Sequence, residues 1–107
     1  MTNFISTGST YWISDEEIQI LEKNATNGDK NSAFKLYQYH MFVSLDQDSE
    51  FEWLEIAAKN GHPIAQSNLA DLFFTQGNKE KAIFWAKKAY RNGAKLPDEL
   101  KILININ

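Results

Sequence analysis

Residues 53–93 read WLEIAAKNGHPIAQSNLADLFFTQGNKEKAIFWAKKAYRNG. The stretch opens and closes on one phrase, a Trp followed by an Ala four residues on and an Asn-Gly stop, and the two copies lie 32 residues apart. Extending the comparison to 33–61 against 65–93 gives six identities in 29 positions: Ala33/Ala65, Phe42/Phe74, Trp53/Trp85, Ala57/Ala89, Asn60/Asn92 and Gly61/Gly93. Chance pairing gives about two, so this is an internal repeat. A partial third copy lies upstream, where Leu21, Ala25 and Asn27-Gly28 precede Leu54, Ala58 and Asn60-Gly61 by 33 residues.

Each unit reads as a helical hairpin. In the first, the spacing of Ala33, Leu36, Tyr37, His40 and Met41 puts them on one face of a helix from about Asn31 to Val43. Ser44-Leu45-Asp46-Gln47 is then the turn, and Asp46 or Asp48 caps a second helix running to about Asn60. That helix is expected to bury Phe51, Trp53, Leu54, Ala57 and Ala58, with Gly61 supplying the left-handed stop. In the second unit Pro63 suits a first helical turn, Ala65, Leu69, Leu72 and Phe73 form the inner face, and Gly77 ends the helix. Asn78 caps its partner, which turns Ala82, Trp85, Ala86 and Ala89 inward before Gly93.

The flanks supply ends. Ser14-Asp15-Glu16-Glu17 is a capping box opening a helix with Ile18, Leu21 and Ala25 inward, and Pro97-Asp98-Glu99 starts a last helix carrying Leu100, Leu103 and Ile104. The expected fold is all-α: a short right-handed α-α superhelix of about two and a half hairpin repeats with capping helices. One domain over residues 1–107 is divided into an irregular segment 1–13, a cap 14–28, repeats 31–61 and 62–93, and a final helix 97–105. Periodicity gives no place to Phe4, Tyr11 or Trp12.

Fourteen aromatics and 43% apolar residues in 107 match a globular chain with one core. No apolar run approaches the length of a membrane span, and the start MTNFISTGSTYWISDEE lacks a basic, then apolar leader, so a cytoplasmic protein without membrane association is expected. The absence of Cys removes disulfides and thiolate sites. A net charge of −3 argues against nucleic-acid binding by phosphate neutralisation. Residues 1–56 carry three Lys against ten acids, a balance of −7, while 57–107 carry eight bases against four acids, a balance of +4. The acidic half suits a basic partner.

Little in the chain points to chemistry. Asp46-x-Asp48-x-Glu50 begins like a calcium loop, but Phe51 stands where the sharp turn needs Gly and Ala57 where a bidentate Glu belongs. His40 and His62 are the only imidazoles, in different units, and core or turn roles are expected. No nucleophile elbow, phosphate loop or zinc helix motif is present, so neither enzyme activity, cofactor nor metal is expected. Trp53, Trp85, Tyr37 and Phe73 sit at repeat positions and read as core. Phe34, Tyr39, Phe42, Phe74 and Phe84 lie off them; some fill gaps between units, and one or two remain as exposed binding anchors. The run Asp46, Asp48, Glu50, Glu52, Glu55 reads either as a solvated helix face or as a landing site for a basic protein. With Tyr39 and Phe42 these acids form the candidate partner-binding set.

WLEIAAKNGHPIAQSNLADLFF followed by NKEKAIFWAKKAYRNGA resembles the Sel-one-like repeat family, a relative of the tetratricopeptide solenoids. Lys81-Ala82, Trp85, Lys88-Ala89 and Gly93 match one half of its pattern; Ala65, Leu69 and Phe73 match the other, over roughly residues 20–100. The chain departs in a trimmed inter-helix loop and in Ala70 and Gln38 at usual Gly positions. The resemblance implies protein–protein binding, and small bacterial members serve as immunity proteins. The expected function is neutralisation of a cognate, basic protein toxin by a protein that is monomeric when free. The other expectation is a general scaffold or adaptor.

Overall fold

In the computed structural model, which describes residues 10–106, six α-helices follow one another with no strand among the described residues. They are α1 (Asp15–Thr26), α2 (Lys30–Tyr39), α3 (Gln47–Lys59), α4 (Pro63–Thr75), α5 (Lys79–Arg91) and α6 (Asp98–Leu103). Phe4 and the rest of 1–9 lie outside the described residues.

The helix starts have local causes. Ser14 Oγ accepts from the Glu17 backbone N–H at 3.2 Å, satisfying an amide with no intrahelical partner. The Glu17 carboxylate does not complete the expected box; it lies 3.7 Å from Lys35 Nζ on α2. Asp29 and Asp46 cap α2 and α3 in one way, each accepting from a backbone N–H and the hydroxyl of the serine three residues on (Ser32 at 2.8 Å, Ser49 at 2.9 Å from the hydroxyl). The cap of α3 is therefore Asp46, and Asp48 stands exposed in the first turn. Asn78 caps α5 through Lys81 N–H at 3.2 Å.

The helix expected over 31–43 is different. After Tyr39 the chain passes into a π-helical turn, His40–Ser44, and stops at Leu45 with φ 56° and ψ 33°. The repeat itself supplies the reason. Caps Asp29 and His62 are 33 residues apart, whereas the left-handed stops Leu45 and Gly77 are 32 apart. The first unit holds one extra residue, and a π-turn absorbs a single insertion. A constant offset of 32 therefore misaligns the start of the unit: Leu36 corresponds to Leu69, and both are fully buried.

The extensive packings all join sequence neighbours, closest between α2 and α3 and between α4 and α5. Alanines make this approach possible: Ala33, Ala57, Ala65, Ala82, Ala86 and Ala89 are all fully buried. One core runs from Ala25 through Leu36, Leu54 and Leu69 to Ala82, and a second gathers Ala70, Ala86, Ala89, Leu96 and Leu100. Tyr37 and Phe73 are buried as expected, but Trp53 and Trp85 are half-buried lids on the core. Phe51, expected inside, is exposed, as are Phe42, Phe74 and Phe84. The molecule measures 50 × 33 × 23 Å.

Two of the Asn-Gly stops tie their unit to the preceding one, Asn60 directly and Asn92 through a glutamine of its own unit. Asn60 Nδ2 donates to the Ala25 carbonyl at 3.2 Å. Asn92 Nδ2 donates to Gln66 Oε1 at 2.9 Å, and buried Gln66 passes the contact on by donating to the Ala58 carbonyl at 3.0 Å. Ala25 and Ala58 are repeat equivalents, so the same last-turn carbonyl is satisfied twice, once directly and once through a glutamine.

Candidate functional site

A groove runs between α3 and α4. Gln47, Glu50, Phe51 and Leu54 recur on α3 at spacings of three and four, which places them on one face. On α4 the buried residues Ala65, Gln66, Leu69, Ala70 and Phe73 face the core. Between them, Ile64, Asn68, Asp71-Leu72 and Thr75-Gln76 form a second stripe. The two faces enclose a hollow of about 360 Å³ lined by Gln47, Glu50, Phe51, Leu54, Leu72 and Gln76. It adjoins a second of about 340 Å³ that shares Glu50, Leu54 and Leu72 and adds Tyr37, Asn68, Asp71 and Thr75. The floor is apolar and the charged lining residues are both carboxylates, Glu50 and Asp71. Asn68 Nδ2 donates to the Tyr37 hydroxyl at 3.3 Å. Burial, and secondarily the Glu50 charge, push the Tyr37 phenol above its ordinary pKa, although the Asn68 bond opposes them.

The expected binding residues are dispersed. Asp48, Glu52 and Glu55 recur at helical spacing on another face of α3, the first two exposed and the third half-buried. Glu50 alone of the acidic run lines the groove. Asp46 is committed to its cap: the Ser49 hydroxyl and then its backbone N–H hold the carboxyl below the usual aspartate range. Phe42 is 38% exposed and stacks on Tyr11 with centroids 4.6 Å apart, while half-buried Tyr39 meets the edge of His40. His40 Nδ1 pairs with Ser44 Oγ at 2.7 Å across the π-turn.

At the other end of α4 a hollow of about 500 Å³ is lined by His62, Pro63, Ile64, Ser67, Asn68, Gly93, Ala94 and Lys95. His62 is more than a turn residue. Its Nδ1 accepts from the Ala65 backbone N–H at 3.3 Å, capping α4, and its ring stacks on Phe34 at 4.0 Å. Burial, followed by the Lys30 charge, lowers its pKa from the ordinary 6.5. On the basic half, Lys88 lies 5.3 Å above the exposed Phe84 ring. Among the described residues no three His, Cys, Asp or Glu side chains gather as metal ligands, and no helix is long and apolar enough to cross a membrane.

Asn68, Asp71, Thr75 and Leu72 join the groove without belonging to the expected binding set. The available signal was the polar stripe at Asn68, Asp71 and Thr75 on a helix whose opposite face is apolar. Tyr37 is buried as expected and also lines the groove.

Comparison with known proteins adds one relative. The uncharacterized protein YibG of Escherichia coli strain K12 is 34% identical over 95 residues, a match covering 82% of this chain and 62% of YibG. The chain thus spans less than two thirds of that relative's length. No protein-family profile matches the chain, and no solved structure matches it.

Proposed function

We propose that this chain is a cytoplasmic immunity protein of the Sel-one-like repeat type, monomeric when free, which neutralises a cognate bacterial toxin by occluding its functional surface. The observation that carries the reading is the groove between α3 and α4, an apolar floor bordered by Glu50 and Asp71 on the edge of the acidic half. Such a surface is suited to a basic protein partner, with the outward Asp48, Glu52 and Glu55 steering its approach.

The right-handed solenoid is part of the same proposal. Left-handed stops at Leu45, Gly61, Gly77 and Gly93, the Asn60 and Asn92 ties, and extensive packing between sequence neighbours, with contacts such as Tyr37–Asn68 from one hairpin to the next, support stacked hairpins. The division into repeats 31–61 and 62–93, with flanking caps, follows from it.

The test is co-expression with the product of the reading frame immediately upstream. Restored growth and a 1:1 complex on size exclusion are expected; a toxic product that kills equally with and without this protein overturns the immunity reading. A second reading, a general scaffold, is favoured by the exposed Phe84 and Tyr90 on the basic half, a surface apart from the groove. It predicts several weak partners in place of one tight one.

A further inference from the structure

Tyr37 is only 6% exposed, yet it lines the groove, and its hydroxyl meets Asn68, another lining residue. The phenol oxygen accepts from Asn68, but among the described residues no acceptor takes the phenol's own proton. A phenol proton so placed is free to donate, and a ligand carbonyl would accept it. Beside it stand Glu50 and Asp71, carboxylates from two different helices lining one hollow with no cation among the lining residues. Below them Leu54 and Leu72 offer an apolar floor.

A bare cation would use the carboxylates and leave both the phenol and the floor without partners. A peptide segment meets all three requirements. Among basic side chains, the planar guanidinium has five donors in a fixed fork and can serve two carboxylates at once.

We propose that the groove takes a segment of the partner protein that inserts an arginine between Glu50 and Asp71, offers a backbone carbonyl to the Tyr37 hydroxyl, and lays an aliphatic neighbour on Leu54 and Leu72. This deepens the proposed function and rests on its protein-binding reading. Charge complementarity selects the occupant, since the groove lies at the border of a half-chain with a balance of −7.

The test uses the full chain and two fluorescein-labelled nonapeptides, one with a central arginine between leucines, the other with neutral citrulline in its place. At low salt the arginine peptide should bind at least about tenfold more tightly, the usual scale for a well-formed charge-assisted contact. The advantage should vanish in the Glu50→Gln/Asp71→Asn variant. It should persist within about twofold in Asp48→Asn/Glu52→Gln, which removes two charges from the outward stripe. Tyr37→Phe should weaken both peptides alike, by about threefold or more. Circular dichroism melts establish that each variant folds. Equal affinity for the two peptides, equal losses in the two charge variants, or unchanged affinity in Tyr37→Phe overturns the proposal. So does a sedimenting dimer that is lost in Glu50→Gln/Asp71→Asn, since it would give the groove to a second copy of the chain. No toxin enters this assay, so its failure is distinguishable from failure of the growth test.

Discussion

Leu45→Gly is expected to stabilise the protein. Leu45 sits at φ 56° and ψ 33°, a left-handed conformation that a Cβ disfavours, and its repeat equivalent is Gly77 at φ 81°. A residue with a Cβ at positive φ costs about 1 kcal/mol relative to glycine, after allowing for glycine's freedom in the unfolded chain. Leu45 is 72% exposed, so truncation forfeits only about a quarter of the ~1.5–3 kcal/mol available to a buried leucine, or about 0.5 kcal/mol. The net gain is about 0.5 kcal/mol, which raises Tm by about 2–4 °C in a domain of this size. The reverse exchange, Gly77→Leu, should cost about 1 kcal/mol or more. A Cβ there meets nothing within 4 Å, so the penalty is conformational. Paired thermal and urea melts measure both. A Leu45→Gly protein that melts at or below wild type while Gly77→Leu is destabilised would refute the equivalence of the two stops.

Asn92→Ala should cost about 1–3 kcal/mol by leaving the buried Gln66 Oε1 without its donor, whereas exposed Asn24→Ala should be nearly neutral. Equal urea midpoints for the two would remove the tie between units. His62 caps α4 through a neutral Nδ1 and has a folded pKa below 6.5, so on acidification the unfolded state takes up the proton first. Its contribution is complete above about pH 6.5 and is lost as pH falls through the folded value. His62→Asn, which caps without titrating, should lose less stability than wild type between about pH 7 and 5, and equal losses would contradict this. Asp48→Lys/Glu52→Lys spares the Asp46 cap and should slow association with a basic partner about tenfold at low salt with little change in off-rate; a change confined to the off-rate would refute steering. Asp46→Ala, by contrast, should register as about 1 kcal/mol of lost stability.

Helix positions were legible where a side chain announces them: Ser14, Asn78, Pro63 and the Asn-Gly stops give α1, α4 and α5 nearly to the residue. The first hairpin was harder because its left-handed stop is a leucine. Leu45 carries no breaking signal, and the insertion it accompanies is hidden by identities that all fit an offset of 32. Phe51 illustrates a second limit. Helical spacing places it beside Leu54, but burial depends on whether a neighbour covers that end of α3, and there the helix borders the groove. Of the groove's polar groups only Glu50 was found, because it lies in a visible acidic run. Tyr37, Asn68 and Asp71 come from two other stretches of chain, and only packing brings them together. The side chains of Asn60 and Asn92 were read as stops, although their amides join one hairpin to the last.

If this protein occludes its partner's functional surface, that partner's activity can be titrated away. The purified product of the upstream reading frame, held well above Kd, is assayed for its toxic activity while this protein is added stepwise. Activity should fall linearly and reach zero at one equivalent. A bound complex that keeps its activity beyond one equivalent would contradict it.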